Sequence, residues 1–182
     1  MKTLKLGTRG SALALKQAEM TEASLSATFP ELEVERIIIK TTGDRRTDVA
    51  LNEVAKAEGI WDKGVFIKEL EVALEAGEID VAVHSLKDLP TVLEDPFQLR
   101  SVLERAPVAD AWIGKIPWSE VKKESRVGTS SVRRERQVKF LKPGAKVVDL
   151  RGNVPTRIKK AALDADYDGI ILAEAGLNRL GY

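Results

Sequence analysis

Two hydrophobic periods take turns along this chain. Short apolar or alternating runs, read as strands, fall at Thr3–Leu6, Leu32–Ile39, Asp80–Val83, Phe97–Leu103, Ala111–Gly114, Arg126–Gly128, Val147–Leu150 and Gly169–Ala173. Between them lie segments with a helical period. One begins at Ser11, a suitable N-cap, and stops before Pro30. Another opens at Gly64, sets Phe66, Ile67, Leu70 and Leu74 on one face, and stops at Gly77. Further helices are expected to start at Thr129–Arg134, to run from Pro155 to about Ala165, and to cover Ala175–Leu180. Thr42–Lys63 is long and weakly patterned, as functional loops are. Strands alternating with helices predict βαβ units around a largely parallel sheet. A composition break near Leu103–Val108 divides the chain into two α/β domains, 1–103 and 104–182, with a ligand between them.

Composition narrows the chemistry. The chain has 182 residues, 43% hydrophobic and 31% charged, ordinary for a globular protein. Its net charge is +1, so any use of positive charge must come from local clustering. There is no cysteine, which removes disulfides, thiolate nucleophiles and Cys-ligated zinc, and one histidine argues against a multi-histidine metal site. No stretch approaches the roughly eighteen apolar residues of a membrane span. The first ten residues are charged and hold no secretory h-region, so a cytoplasmic location is expected.

Candidate chemistry gathers at four strand-to-helix turns: Thr8-Arg9-Gly10-Ser11, Ser85-Leu86-Lys87-Asp88, Thr129-Ser130-Ser131-Val132-Arg133-Arg134 and Arg151-Gly152-Asn153-Val154-Pro155-Thr156-Arg157. Each joins hydroxyls and cations to the free N–H groups of a helix start, where the dipole also favours an anion. Arginine adds bidentate recognition of carboxylates. A lone turn of this kind is weak support, because surface Arg is usually solvated and Ser/Thr usually cap. Four of them favour a polyanionic ligand. No GxxxxGK[ST] phosphate loop or dinucleotide fingerprint is present. Aromatics are only 5%, too few for a basic stacking face that reads nucleic acid. Separate arginines on separate loops suit a small molecule with several carboxylates. Asp88, in a turn closed by Pro90 at a strand's carboxyl end, is the conspicuous acid among the cations.

These segments carry a specific resemblance. Thr8–Ala14, Lys68–Glu71, Ala82–Asp88, Gly128–Arg134, Leu150–Val154 and Ala175–Gly181 resemble, collinearly, the porphobilinogen deaminases, also called hydroxymethylbilane synthases. The resemblance implies two periplasmic-binding-protein-like (type II) domains with the ligand cleft between them. It implies a transferase that condenses four porphobilinogen units into a linear tetrapyrrole of heme biosynthesis, releasing ammonia each time, on a dipyrromethane cofactor. By motif, Asp88 resembles the catalytic carboxylate. Ser85, Lys87, Thr129, Ser130, Ser131, Arg133 and Arg134 resemble the cofactor-holding set, and Arg9, Ser11, Arg151, Arg157 and Arg179 the substrate-holding set. Metal, nucleic-acid and membrane partners are not implied, and a monomer is. The family's third domain, with the cysteine that anchors the cofactor, is not matched, so the expectation is a two-domain portion inactive on its own. The segment Ala57–Lys63 looks expanded, and the acidic-proline-arginine-acidic pattern near Pro107–Asp110 is only partly kept. The competing reading is a non-catalytic small-anion binding module of the same fold, in which Asp88 would have no purpose.

Overall fold

The computed structural model describes residues 3–42 and 66–182. Residues 43–65, which take in most of the weakly patterned loop, Ala57–Lys63 and Gly64, lie outside the described residues. The chain divides into two compact units, one ending at Arg105 and the other running Ala106–Tyr182.

In the first unit, β1 (Thr3–Thr8) leads into α1 (Ala12–Thr28), β2 (Glu33–Ile38), α2 (Lys68–Glu75) and β3 (Val81–Ala82). The strands form a parallel sheet of order β2-β1-β3, with Leu4 opposite Val34 and Leu6 opposite Val81. Alternation sends the apolar positions to the covered face. Leu70 and Ala73 of α2 pack there with Ile79, joined by Ile37, Ile39, Leu74 and Ala82. Ser11 caps α1 by accepting from the Ala14 N–H, and Gly77 at φ 69° ends the turn after α2. Arg36 grips Glu22 through two parallel hydrogen bonds, tying β2 to α1.

Two sequence expectations are corrected in this unit. The run Asp80–Val83 was expected to be a central strand, but only Val81–Ala82 pair, beside β1, which is the middle strand among those described. The buried apolar residue there is Ile79, just upstream. Phe97–Leu103 forms no strand. Leu99 and Val102 face solvent, and the run finds no ladder partner among the described residues. Apolar alternation cannot announce whether a neighbouring strand exists.

The second unit holds β4 (Asp110–Gly114), β5 (Arg126–Gly128), α3 (Val132–Leu141), β6 (Lys146–Val148), α4 (Val154–Leu163), β7 (Gly169–Ala173) and α5 (Glu174–Leu180). The sheet order is β4-β7-β5-β6, parallel except for β4. The stretch from β4 to β5 returns through a 3-10 turn, Trp118–Glu120, without a crossover helix, so β4 runs antiparallel. Neighbouring residues face opposite sides. Ile170 and Leu172 of β7 and Val148 of β6 pack with Ala161 of α4 and Leu177 of α5. Ile171 and Val147 pack on the other side with Val138 of α3, Trp112 and Trp118. Trp112 is thus part of the core, and its indole N–H donates to the Ile116 carbonyl at 2.9 Å. Gly169 makes room for that ring, since a Cβ there would collide with it. Among the described residues no helix is long and apolar enough to cross a membrane.

Candidate functional site

Parallel neighbours end at the same edge of a sheet, so their loops meet there. In the first unit that edge carries the loops after β1 and β3. Thr8 is buried, and its hydroxyl donates to the Ala14 carbonyl at 3.3 Å, fixing the bend before α1. Arg9 follows at once, its guanidinium 4.1 Å above the Phe66 ring. After β3, Leu86–Asp88 form a single 3-10 turn rather than a longer helix. The Asp88 N–H donates to the Ser85 carbonyl at 2.8 Å, so the carboxylate springs from a closed turn. The Ser85 hydroxyl and the Gln17 side chain exchange hydrogen bonds of 2.9 and 3.0 Å, tethering this turn to α1. Gln17 was not among the expected residues. Its signal was a neutral polar side chain set between Ala14 and buried Ala18 on the helix.

Asp88 is half-buried, and no hydrogen bond or ion pair engages its carboxylate among the described residues. Lys87 is exposed beside an open depression of about 440 Å³ lined by Leu86, Leu89, Pro90, Leu93 and Leu99. His84, two residues beyond β3, is held neutral. Burial lowers its pKa and the Arg9 charge lowers it further, to about 4.

In the second unit the loops after β5 and β6 lie side by side. Ser131 caps α3 and Asn153 caps α4, each side chain accepting an N–H from the first turn. Thr129 is buried, its hydroxyl accepting from the Ser131 N–H at 3.2 Å. Ser130 fastens the two loops together: its hydroxyl donates to the Leu150 carbonyl at 2.7 Å and accepts the Leu150 N–H at 3.1 Å. Gly152, at φ 116°, makes the bend that L side chains resist. Arg157 donates from Nε to the Gly152 carbonyl at 2.6 Å, and Lys160 from Nζ to the Arg151 carbonyl at 3.3 Å. Arg157 is therefore partly spent on bracing its own loop. Arg151 is half-buried beside it.

Arg133 and Arg134 differ sharply. Arg134 is buried; its Nε and Nη2 reach Asp110 Oδ1 at 2.9 and 2.8 Å, and Nη1 donates to the Ile171 carbonyl at 3.2 Å. Arg133 keeps 59% of its side chain exposed, with Nη2 at 2.7 Å from Asp110 Oδ2 and Nη1 donating to Gln137 at 2.8 Å. Burial alone would raise the Asp110 carboxyl, but hydrogen bonds from Arg134 and Arg133 outweigh it and hold the pKa below its ordinary value. Asp110 was not singled out in sequence. The pair depends on the β4–β7 register, which sets Asp110 opposite Ala173 at the strand-end edge. Arg179 stands apart in the last turn of α5, its Nε buried with no acceptor among the described residues.

The class of protein is thereby defined: a two-unit α/β chain whose strand-end loops carry capped helix starts, guanidinium groups and, at Asp88, a half-buried carboxylate uncommitted among the described residues. Over residues 4–182 the sequence matches the family model described as "Porphobilinogen deaminase, dipyromethane cofactor binding domain". It is 47% identical over its whole length to the porphobilinogen deaminase of Syntrophomonas wolfei, covering 58% of that relative. The corresponding figures are 45% and 56% for Trichlorobacter lovleyi, again over the whole chain, and 45% and 58% for Xanthomonas oryzae. The chain belongs to the porphobilinogen deaminase family, and it spans somewhat over half the length of these relatives. A solved structure of the reduced OxyR regulatory domain from Pseudomonas aeruginosa covers 97% of this chain and 75% of its own, at 15% identity and a TM-score of 0.43, too loose a likeness to bear on the fold.

Proposed function

We propose that this chain carries the catalytic and cofactor-holding groups of a hydroxymethylbilane synthase, a transferase of tetrapyrrole biosynthesis that joins four porphobilinogen units and releases ammonia at each step. The supporting observation is Asp88. A half-buried carboxylate on a closed turn, uncommitted to any described partner, is poorly solvated unless a cation comes to it. Porphobilinogen supplies one. As its aminomethyl nitrogen leaves as ammonia, taking the bonding electron pair, positive charge spreads over the pyrrole ring. Asp88 offsets that charge and accepts the proton released when the new carbon–carbon bond restores aromaticity.

The donors fit a dipyrromethane bearing acetate and propionate groups. The first N–H groups of α3 and α4 have no helical acceptor, and the buried Arg179 Nε, without an acceptor among the described residues, is a donor of the kind a substrate carboxylate satisfies. Ser85, Lys87, Thr129, Ser130, Ser131, Arg133 and Arg134 are the cofactor-holding set in this reading, and Arg9, Ser11, Arg151, Arg157 and Arg179 hold carboxylates of the substrate. Each desolvated, charge-assisted contact contributes roughly 1.5–3 kcal/mol. When bound, the cofactor supplies the pyrrole carbon to which the first unit is joined. The 182 residues contain no cysteine, so a thioether to it is not supplied by them. In this reading the unit ending at Arg105 is the carboxylate-bearing domain, and Ala106–Tyr182 the arginine-rich one. The reading places the protein in the cytoplasm as a monomer, without nucleic-acid or membrane partners.

The test supplies porphobilinogen to the complete protein that carries this sequence and follows ammonia and product together. Four ammonia molecules per hydroxymethylbilane are expected. Saturable porphobilinogen binding with no ammonia released would establish the anion-binding module instead.

A further inference from the structure

We propose that Asp110 is a positioning residue for the cofactor-holding turn, fixing Arg133 so that its remaining N–H groups point outward for a ligand carboxylate. The inference rests on the functional reading above. Arg133 and Arg134 occupy the first turn of α3, where a cation opposes the helix dipole and an anion is favoured. Asp110 brings that anion from another element. It cannot swing away, because its backbone lies in the ladder opposite Ala173 and its side chain is only 19% exposed. Its two oxygens divide the labour. Oδ1 takes Nε and Nη2 of Arg134, a buried guanidinium that also donates to Ile171 and so locks the carboxylate's plane against the sheet. Oδ2 takes one Nη2 contact from Arg133, and Gln137 takes Nη1 from the other side. Arg133 is thus held at two points while more than half its side chain stays in solvent. A guanidinium has five N–H donors in a fixed plane, so pinning two edges aims the others. A long side chain ordered beforehand loses less entropy on binding. Arg134 serves the cofactor-holding set in part through Asp110, whose carboxylate it holds in place.

Direct titration tests this, with a synthetic dipyrromethane carrying acetate and propionate groups added to the complete protein freed of its own cofactor. Asp110→Asn keeps one carbonyl oxygen for Arg134 but turns an amide toward Arg133. Its Kd should rise about tenfold, the size of one charge-assisted contact. Arg133→Leu should weaken binding similarly, and the double variant should add little, because the two changes remove one shared effect. Gln137→Ala touches only the exposed anchor, leaves the fold intact, and should weaken binding about threefold through the same loss of order. Affinity unchanged in Gln137→Ala, independent effects in the double variant, or tighter binding by Asp110→Asn would each overturn the positioning role. A parent protein that does not bind the dipyrromethane would overturn the functional reading, and this inference with it.

Discussion

Arg133 and Arg134 are adjacent in sequence and opposite in setting. One is mostly in solvent and the other buried between a carboxylate and a strand carbonyl. Sequence showed two cations at a helix start but not which faced outward, because the deciding acid lies on β4 and reaches them only through the sheet register. Asp88 was legible for the contrary reason: its turn is local, closed by hydrogen bonds within four residues and by Pro90. His84, in the same stretch, has a consequence for stability. Its folded pKa is about 4, below the ordinary 6.5. As pH falls below 6.5 the unfolded chain takes up a proton that the folded chain refuses. Stability present above pH 6.5 is therefore lost between 6.5 and 4. Denaturant melts should show the parent losing roughly 3 kcal/mol more over that window than His84→Gln does. Equal losses in both would contradict a partly buried, neutral imidazole.

At the level of elements, strand and helix identities followed from periodicity wherever a local cap or stop reinforced it. Ser11, Pro155 and Gly77 punctuate where expected. The failures came where an element needs a distant partner: β3 is shorter than its apolar run, and 97–103 has no ladder. The join between the loops after β5 and β6 was also hidden. Ser130 looked like a ligand hydroxyl, yet its hydroxyl is engaged on both sides by Leu150. Ser130→Ala would leave a buried N–H and C=O unsatisfied, at a cost of roughly 1–3 kcal/mol. Hydrogen exchange at the Leu150 amide should quicken accordingly. Unchanged exchange, with binding alone impaired, would mean that the hydroxyl serves the ligand and not the join.

Across the whole molecule, each unit sets most of its candidate site residues at the edge where its parallel strands end, while Arg179 lies apart on α5. That concentration made the family legible from loop motifs, since such loops answer to the ligand and the strands only to packing. Family membership alone does not decide between chemistry and binding. The central claim is that the uncommitted carboxylate of Asp88 stabilises charge developed on porphobilinogen. It is tested most directly by ammonia release in the complete protein and its Asp88→Asn variant, with bound pyrrole measured in both. The account predicts that turnover falls by about 100-fold or more while pyrrole retention is kept, because a neutral amide can neither offset the cation nor take the proton. Turnover within about threefold of the parent would contradict it.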